Sequence, residues 1–152
     1  MYVTQISVAD RKRTIAREVL EDLPEWFGIP ESREEYIRES ANLPFFAAME
    51  GAEVLGFMSM KETSSFTCEI YVTGVKKRVH RCGAGRTLFS AFETYGREHG
   101  YRLIQVKTIA PGYYPEYDAT VAFYRNIGFL PLEILPTLWD ENNPCLILVK
   151  PL

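Results

Sequence analysis

The stretch from Val75 to Phe89, "VKKRVHRCGAGRTLF", constrains this chain more than any other. A run rich in β-branched and aromatic residues, "FTCEIYVTGV", enters it as a strand. A helical pattern leaves it, from Ala84 to about His99, with Leu88, Phe92 and Tyr95 on one face and Gly100 placed as the C′ residue. Strand, glycine turn, helix is a recipe for an anion site. The first amides of a helix have no internal partner and carry the positive end of its dipole. Gly83 and Gly85 put no Cβ in the way of a bulky anion, and Arg81 and Arg86 flank them as cations.

Charge narrows the anion. The net charge of −3 gives no general attraction to nucleic acid or acidic membranes. Lys76, Lys77, Arg78, Arg81 and Arg86 nevertheless cluster at the turn, while acidic residues gather early, in "LEDLPEW" and "PESREEYIRES". A basic patch on an acidic protein points to one anionic ligand rather than a polyanion. No apolar run approaches the roughly 20 residues of a membrane helix, and "MYVTQISVADRKR" turns polar too early for a signal-peptide core. Cys68, Cys82 and Cys145 are odd in number and far apart, which fits a reducing compartment, so a cytoplasmic location is expected. Two histidines without a ligand cluster argue against a metal site.

At 152 residues the chain reads as one domain, 1–152, able to bury a real core. Ala9 to Leu23 has helical spacing through Ile15, Val19, Leu20 and Leu23, with Asp10 as the expected N-cap. Pro24 and Pro30 bracket an aromatic loop, "EWFGI", and Ser32 is expected to open a second helix to about Ser40. "PFFAAME" and "VLGFMSMKE" form a hairpin across "GAE". "RLIQVKTI" is a strand, "APGYYPEYD" a loop, "ATVAFYRNI" a short helix closed by Gly128, and "PLEIL" and "CLILVK" are late strands; Val3–Ile6 is a candidate first strand. The order describes a mixed sheet with helices packed on it.

Three phosphate ligands compete for the turn. A Walker loop would end in Gly-Lys-Ser/Thr, which is missing. A dinucleotide fingerprint would need a third glycine where Leu88 stands and an acid after "RLIQVKTI". Acyl-CoA pyrophosphate is the third, and a tight turn beside a solvated basic face is the alternative to all three.

"VKKRVHRCGAG" resembles motif A of the GCN5-related N-acetyltransferase (GNAT) superfamily: a strand-ending valine, then Arg or Gln, two residues, Gly, any residue, and Gly or Ala. Val75 lies eight residues before Gly83, and His80 holds the Arg/Gln position. "AFYRNIGF" is similar to the superfamily's second signature, and the element order agrees over essentially the whole chain. The resemblance implies an α/β (α+β) fold with a mixed, mostly antiparallel sheet of about six to seven strands. Helices would cover both faces, and a central strand pair would splay apart. It implies transfer of an acetyl group from acetyl-CoA to a primary amine of a small molecule or peptide. A catalytically weak CoA-binding sensor of the same fold is the alternative.

Residue by residue, the resemblance places CoA against the Val75 backbone, for the pantetheine arm, and against His80, Arg81, Cys82, Gly83, Ala84, Gly85 and Arg86, for the pyrophosphate. Two positions depart from the pattern: His80 replaces Arg or Gln, and Tyr117 stands where many members carry an Asn that bonds pantetheine. Acetyl transfer needs a proton taken from the amine, a donor for the thioester oxygen and a proton or hydrogen bond for the thiolate. Glu69, eleven residues before His80, matches the catalytic glutamate of the histone acetyltransferase branch. Strand alternation puts Glu69, Tyr71 and Thr73 on one face, and Ile70 and Val72 on the other. The amide of Thr73 is the implied oxyanion donor, beside a bulge for which Gly74 is suited. Tyr124, four residues before Gly128, matches the tyrosine that many members place near the CoA sulfur. The acceptor pocket of the superfamily maps onto the early helices and late strands, so Trp26, Phe27, Glu31 and Trp139 are candidate acceptor contacts. Many relatives dimerise, which makes a homodimer compatible with the resemblance.

Overall fold

The computed structural model describes all 152 residues. In chain order they form β1 (Tyr2–Gln5), α1 (Ala9–Glu21), α2 (Pro30–Ser40), β2 (Phe45–Glu50), β3 (Glu53–Glu62) and β4 (Thr67–Val75). A 3₁₀ turn (Lys77–Val79) leads to α3 (Ala84–Glu98), β5 (Leu103–Ile109), α4 (Pro115–Asn126), β6 (Leu130–Asp140) and β7 (Asn143–Pro151). The seven strands make one sheet in the order β1-β2-β3-β4-β5-β7-β6. Every neighbouring pair is antiparallel except β4 and β5.

The sheet separates two cores. On one face α1, the turn that follows it and α2 bury Ile15, Val19, Leu20, Leu23 and Ile37 against Phe45, Phe57 and Val72. The stacked rings of Phe45 and Phe57, 4.9 Å apart, form its centre. On the other face α3 and α4 bury Leu88, Phe89, Phe92, Val121 and Tyr124 against Met58, Ile70, Ile104, Val106 and Leu148. Helical spacing predicts the α1 and α3 stripes because both helices have one wet face.

Local chemistry moves several boundaries. Val8, not Asp10, is the N-cap of α1; Asp10 sits in the first turn, where its charge complements the dipole. α2 starts at Pro30, whose fixed φ suits a first helical position, so Ser32 lies inside the helix. α4 starts at Pro115 for the same reason and absorbs part of the expected loop. β6 runs well past "PLEIL" to Asp140, where the Asp140 carboxylate accepts from the Asn142 amide at 2.8 Å and closes the hairpin to β7.

The largest departure lies in β4. Ser59 pairs with Val72 and Met60 with Ile70, so Tyr71 is the extra, bulged residue; Gly74 pairs normally with Phe57. The bulge flips the alternation. Ile70 packs with the α3 core, whereas Val72 belongs to the α1 core, contrary to the shared face expected for them. Tyr71 packs toward α1 and α2, while Val75 returns to the α3 side. Gly74 has a different purpose from the expected one. A Cβ there would stand 2.8 Å from Leu23 Cδ1 and 3.0 Å from Val19 Cγ1, so glycine is what lets α1 lie this close to β4.

Candidate functional site

β4 and β5 are paired only from Thr67↔Leu103 to Glu69↔Gln105; beyond that point they diverge. The opening exposes one edge of β4. Lys76 donates to the Leu55 carbonyl of β3 at 2.8 Å. The alternation of an antiparallel ladder therefore turns the amides and carbonyls of Thr73 and Val75 away from β3, into the gap.

The glycine turn stands at the end of that edge. The first bond of α3 is donated by Thr87 to the Gly83 carbonyl, at 3.0 Å. The amides of Arg81, Gly83, Ala84, Gly85 and Arg86 donate to nothing in the protein. Arg81 (φ 67°) and Gly83 (φ 88°) are both left-handed, which curls these amides into an anion-binding concavity. Gly85 is filled from behind: a Cβ there would lie 3.1 Å from the Phe123 ring of α4.

The basic cluster is less available than its sequence implies. Lys76 pairs with Glu18 at 2.5 Å, Lys77 with Glu25 at 2.8 Å, and Arg78 with Glu53. Within this cluster Arg81 and Arg86 alone keep side chains with no acidic partner, beside the free amides. His80 does not face the turn's amides. Its Nε2 lies 2.6 Å from the Val75 carbonyl, and its ring meets the edge of Trp26 at 5.8 Å. One of the two outward carbonyls of β4 is thus already engaged by His80. The Cys82 thiol is exposed, 3.9 Å from the His80 carbonyl.

Glu69 lies where the two strands part, 6 % exposed. Its Oε1 accepts from Gln105 Nε2 at 3.2 Å and pairs with Lys107 Nζ at 3.2 Å. Lys107, on β5 two residues past the last β4–β5 pair, was not singled out by sequence; only the register brings it to Glu69. Over this floor Phe27, Tyr36 and Tyr71 form a chain of edge-to-face rings at 5.8 and 5.4 Å. Burial raises the Tyr36 and Tyr71 phenols, Tyr71 to about 12, with nearby Glu35 adding to both. Tyr36 and Tyr71 were missed because, in sequence, each reads as an ordinary amphipathic position.

Trp26 bridges the two sides of the opening. Its Nε1 donates to Thr120 Oγ1 of α4 at 3.3 Å, and Tyr117 donates its hydroxyl proton to the Trp26 carbonyl at 2.9 Å. Tyr124 lies on the far face of the sheet from Tyr71, packed on Phe123 and Phe129, each at 5.5 Å. It is 4 % exposed, and its hydroxyl makes no hydrogen bond to the protein. Burial pushes its phenol well above the usual tyrosine range, so it carries its proton at neutral pH. The other candidate acceptor residues are not gathered here. Glu31 is exposed in the first turn of α2, and Trp139 is 45 % exposed on β6 with no aromatic neighbour. No three His, Cys, Asp or Glu side chains converge as a metal group, and no helix is long and apolar enough to cross a membrane.

The model of the acetyltransferase (GNAT) family matches residues 12–129. Among solved structures, a GNAT-family protein from Desulfovibrio desulfuricans superposes with a TM-score of 0.85 at 19% identity, covering 98% of this chain and 97% of that one. An aminoglycoside 6'-N-acetyltransferase complexed with coenzyme A gives 0.76 at 17% identity, over 99% and 97% of the two chains. The ribosomal-protein-S18-alanine N-acetyltransferase of Escherichia coli gives 0.77 at 16%, over 98% and 93%. No curated protein matches the chain by sequence. A splayed β4–β5 pair, an unpaired amide turn and a family match over more than half its length place the chain in one class: it belongs to the acetyltransferase (GNAT) family, and so among the acyltransferases.

Proposed function

We propose that this chain moves an acetyl group from acetyl-CoA to a primary amine of a small molecule or peptide, in a cytoplasmic setting. The observation that carries the reading is the row of five partnerless amides at the start of α3, aligned with the outward polar edge of β4. A pyrophosphate satisfies those amides, with Arg81 and Arg86 supplying charge, and the Val75 amide is left to meet the pantetheine arm. A neighbour of the same fold is complexed with coenzyme A, which supports this ligand. Bound acetyl-CoA supplies the activated thioester. The residues of the chain supply the rest.

An amine arriving from the α1–α2 side meets Phe27, Tyr36 and Tyr71 and reaches the Glu69 carboxylate, which takes its proton directly or through a water. The Thr73 amide, pointing into the gap, is the donor for the developing oxyanion. Tyr124, on the other side of the sheet, offers its retained proton to the departing sulfur. Base and acid on opposite faces, joined through the gap, suit a reaction in which two substrates enter from opposite sides. The three free cysteines support a reducing compartment. Exposed Leu130, Leu132, Ile134, Leu138 and Trp139 on edge strand β6 support a homodimer, checked by sedimentation equilibrium.

The test is thiol release from acetyl-CoA against a panel of primary amines, with and without Glu69→Gln. Turnover that falls in the variant supports the enzyme reading. Saturable CoA binding with no turnover on any amine would favour the sensor.

A further inference from the structure

We propose that Lys107 is itself an acetyl acceptor: without a competing amine, the chain acetylates its own Lys107 Nζ. The inference rests on the acetyltransferase reading above and adds a modification site to it.

The geometry singles this lysine out. Its Nζ is 3.2 Å from Glu69 Oε1, the position an acceptor amine would take against the candidate base. Its side chain is 35% exposed whereas that of Glu69 is 8% exposed, so the amine is the mobile partner. Lys107 also belongs to the wall of the opening, since β5 leaves β4 after Gln105. Thr73 lies four residues beyond Glu69 on β4, and Lys107 two beyond Gln105 on the parallel β5. With the bulged Tyr71 adding no register step, the remaining advance along the strands is one residue, about 3.3 Å. A lysine stem reaches about 6 Å and rotates freely, so Nζ can swing from Glu69 toward the level of the Thr73 amide.

The other lysines are held elsewhere. Lys76, Lys77 and Lys150 pair with Glu18, Glu25 and Glu93, and Lys12 donates to the Leu43 carbonyl at 2.7 Å. Lys61 is the internal comparison. It is the cross-strand partner of Glu69 on β3, but its ammonium lies over the Tyr71 ring, 5.6 Å from the centroid, away from the β4–β5 gap.

The step balances. The Lys107 ammonium gives one proton to the Glu69 carboxylate, and the freed nitrogen forms a bond to the acetyl carbonyl carbon. The carbon–sulfur bond breaks, the Tyr124 phenol gives its proton to the thiolate, which leaves as the thiol of CoA, and the second nitrogen proton restores the phenol. Glu69 returns its proton to water. The product is a neutral amide, which removes the cation facing a buried carboxylate. Modified protein therefore turns over external amines more slowly.

The experiment incubates the full chain with acetyl-CoA alone and follows intact mass, peptide mapping and, separately, acetyl-CoA affinity by calorimetry. The expected result is one acetyl per chain, on Lys107. Its first-order rate should not depend on protein concentration and should exceed that at Lys61 by at least about tenfold. Lys107→Arg should abolish the modification. Glu69→Gln should slow it about a hundredfold with acetyl-CoA affinity unchanged. Two results would overturn the proposal: acetyl-CoA bound with Lys107 unmodified, or acetyl groups spread over Lys61, Lys76 and Lys77 at rates indifferent to Glu69→Gln. Failure to bind acetyl-CoA at all would overturn the parent reading first and this one with it.

Discussion

Gly74→Ala puts the geometry of β4 to a test whose sign is decided in advance. At an unstrained strand position, Gly→Ala stabilises by about 0.4–1 kcal/mol, chiefly by restricting the unfolded chain. At Gly74 the new methyl would sit 2.8 Å from Leu23 Cδ1 and 3.0 Å from Val19 Cγ1, so two buried side chains of the packed core have to shift to admit it. Overpacking of that kind costs about 1–3 kcal/mol, so the net effect is a loss of about 0.5–2 kcal/mol. For a chain of this size that lowers Tm by roughly 2–6 °C. Urea unfolding with the m-value held constant gives the number directly. Removing the colliding atoms should relieve part of the cost: Gly74→Ala made in a Leu23→Ala background should be less destabilising than in the native chain. A neutral or stabilising Gly74→Ala, or a cost unchanged by Leu23→Ala, would refute the placement of α1 on β4 and the flipped faces that follow from it. The function depends on this register, because the bulge takes the Thr73 side chain off the face that Glu69 and Tyr71 share, contrary to the shared face expected for all three, and turns its amide into the gap.

Glu69→Gln should lower kcat at pH 7 by about 10²- to 10⁴-fold and lose less at high pH, where free amine is abundant; pH–rate profiles of both proteins check it. Tyr124→Phe should slow turnover by about tenfold or more with acetyl-CoA affinity unchanged, since its hydroxyl makes no structural hydrogen bond; steady-state kinetics beside calorimetry separate the two effects. Arg81→Glu and Arg86→Glu should each weaken CoA binding by roughly tenfold, more at low salt, with stability almost unchanged because neither side chain has a protein partner. These are better probes than a Gly85 substitution, which would also push on Phe123. Stability should fall as pH rises past about 10: burial raises Tyr71 and Tyr117 to about 12 and Tyr124 further, so the unfolded chain releases phenolic protons that the folded chain holds, which urea melts at pH 9 and pH 11 would show.

The fold was readable where one-dimensional pattern and three-dimensional packing coincide. The α1 and α3 stripes follow from helices wet on one side, and Gly100 and Gly128, both left-handed, end α3 and α4 where glycine was expected to. The strand–turn–helix around Gly83 was legible because its chemistry is local. The bulge at Tyr71 was not. Its signal is a register between β3 and β4, which no residue of "CEIYVTG" announces; the sequence points to a bulge beside Gly74, whereas Gly74 is there for its packing against Val19 and Leu23. Lys107 escaped for the same cause, since it reaches Glu69 only through the parallel β4–β5 pairing. The basic run was over-read because its partners, Glu18, Glu25 and Glu53, come from α1, the α1–α2 loop and β3, far away in sequence.

The central claim is that the free amides of Arg81, Gly83, Ala84, Gly85 and Arg86 hold the pyrophosphate of CoA. The most direct measurement is calorimetric titration of the purified chain with acetyl-CoA and CoA, with NADH as a phosphate-bearing comparison. The account predicts saturable binding of both CoA species at one site per chain, weakened by Arg81→Glu and Arg86→Glu, and no binding of NADH. Binding of neither CoA species, or equal binding of NADH, would contradict it.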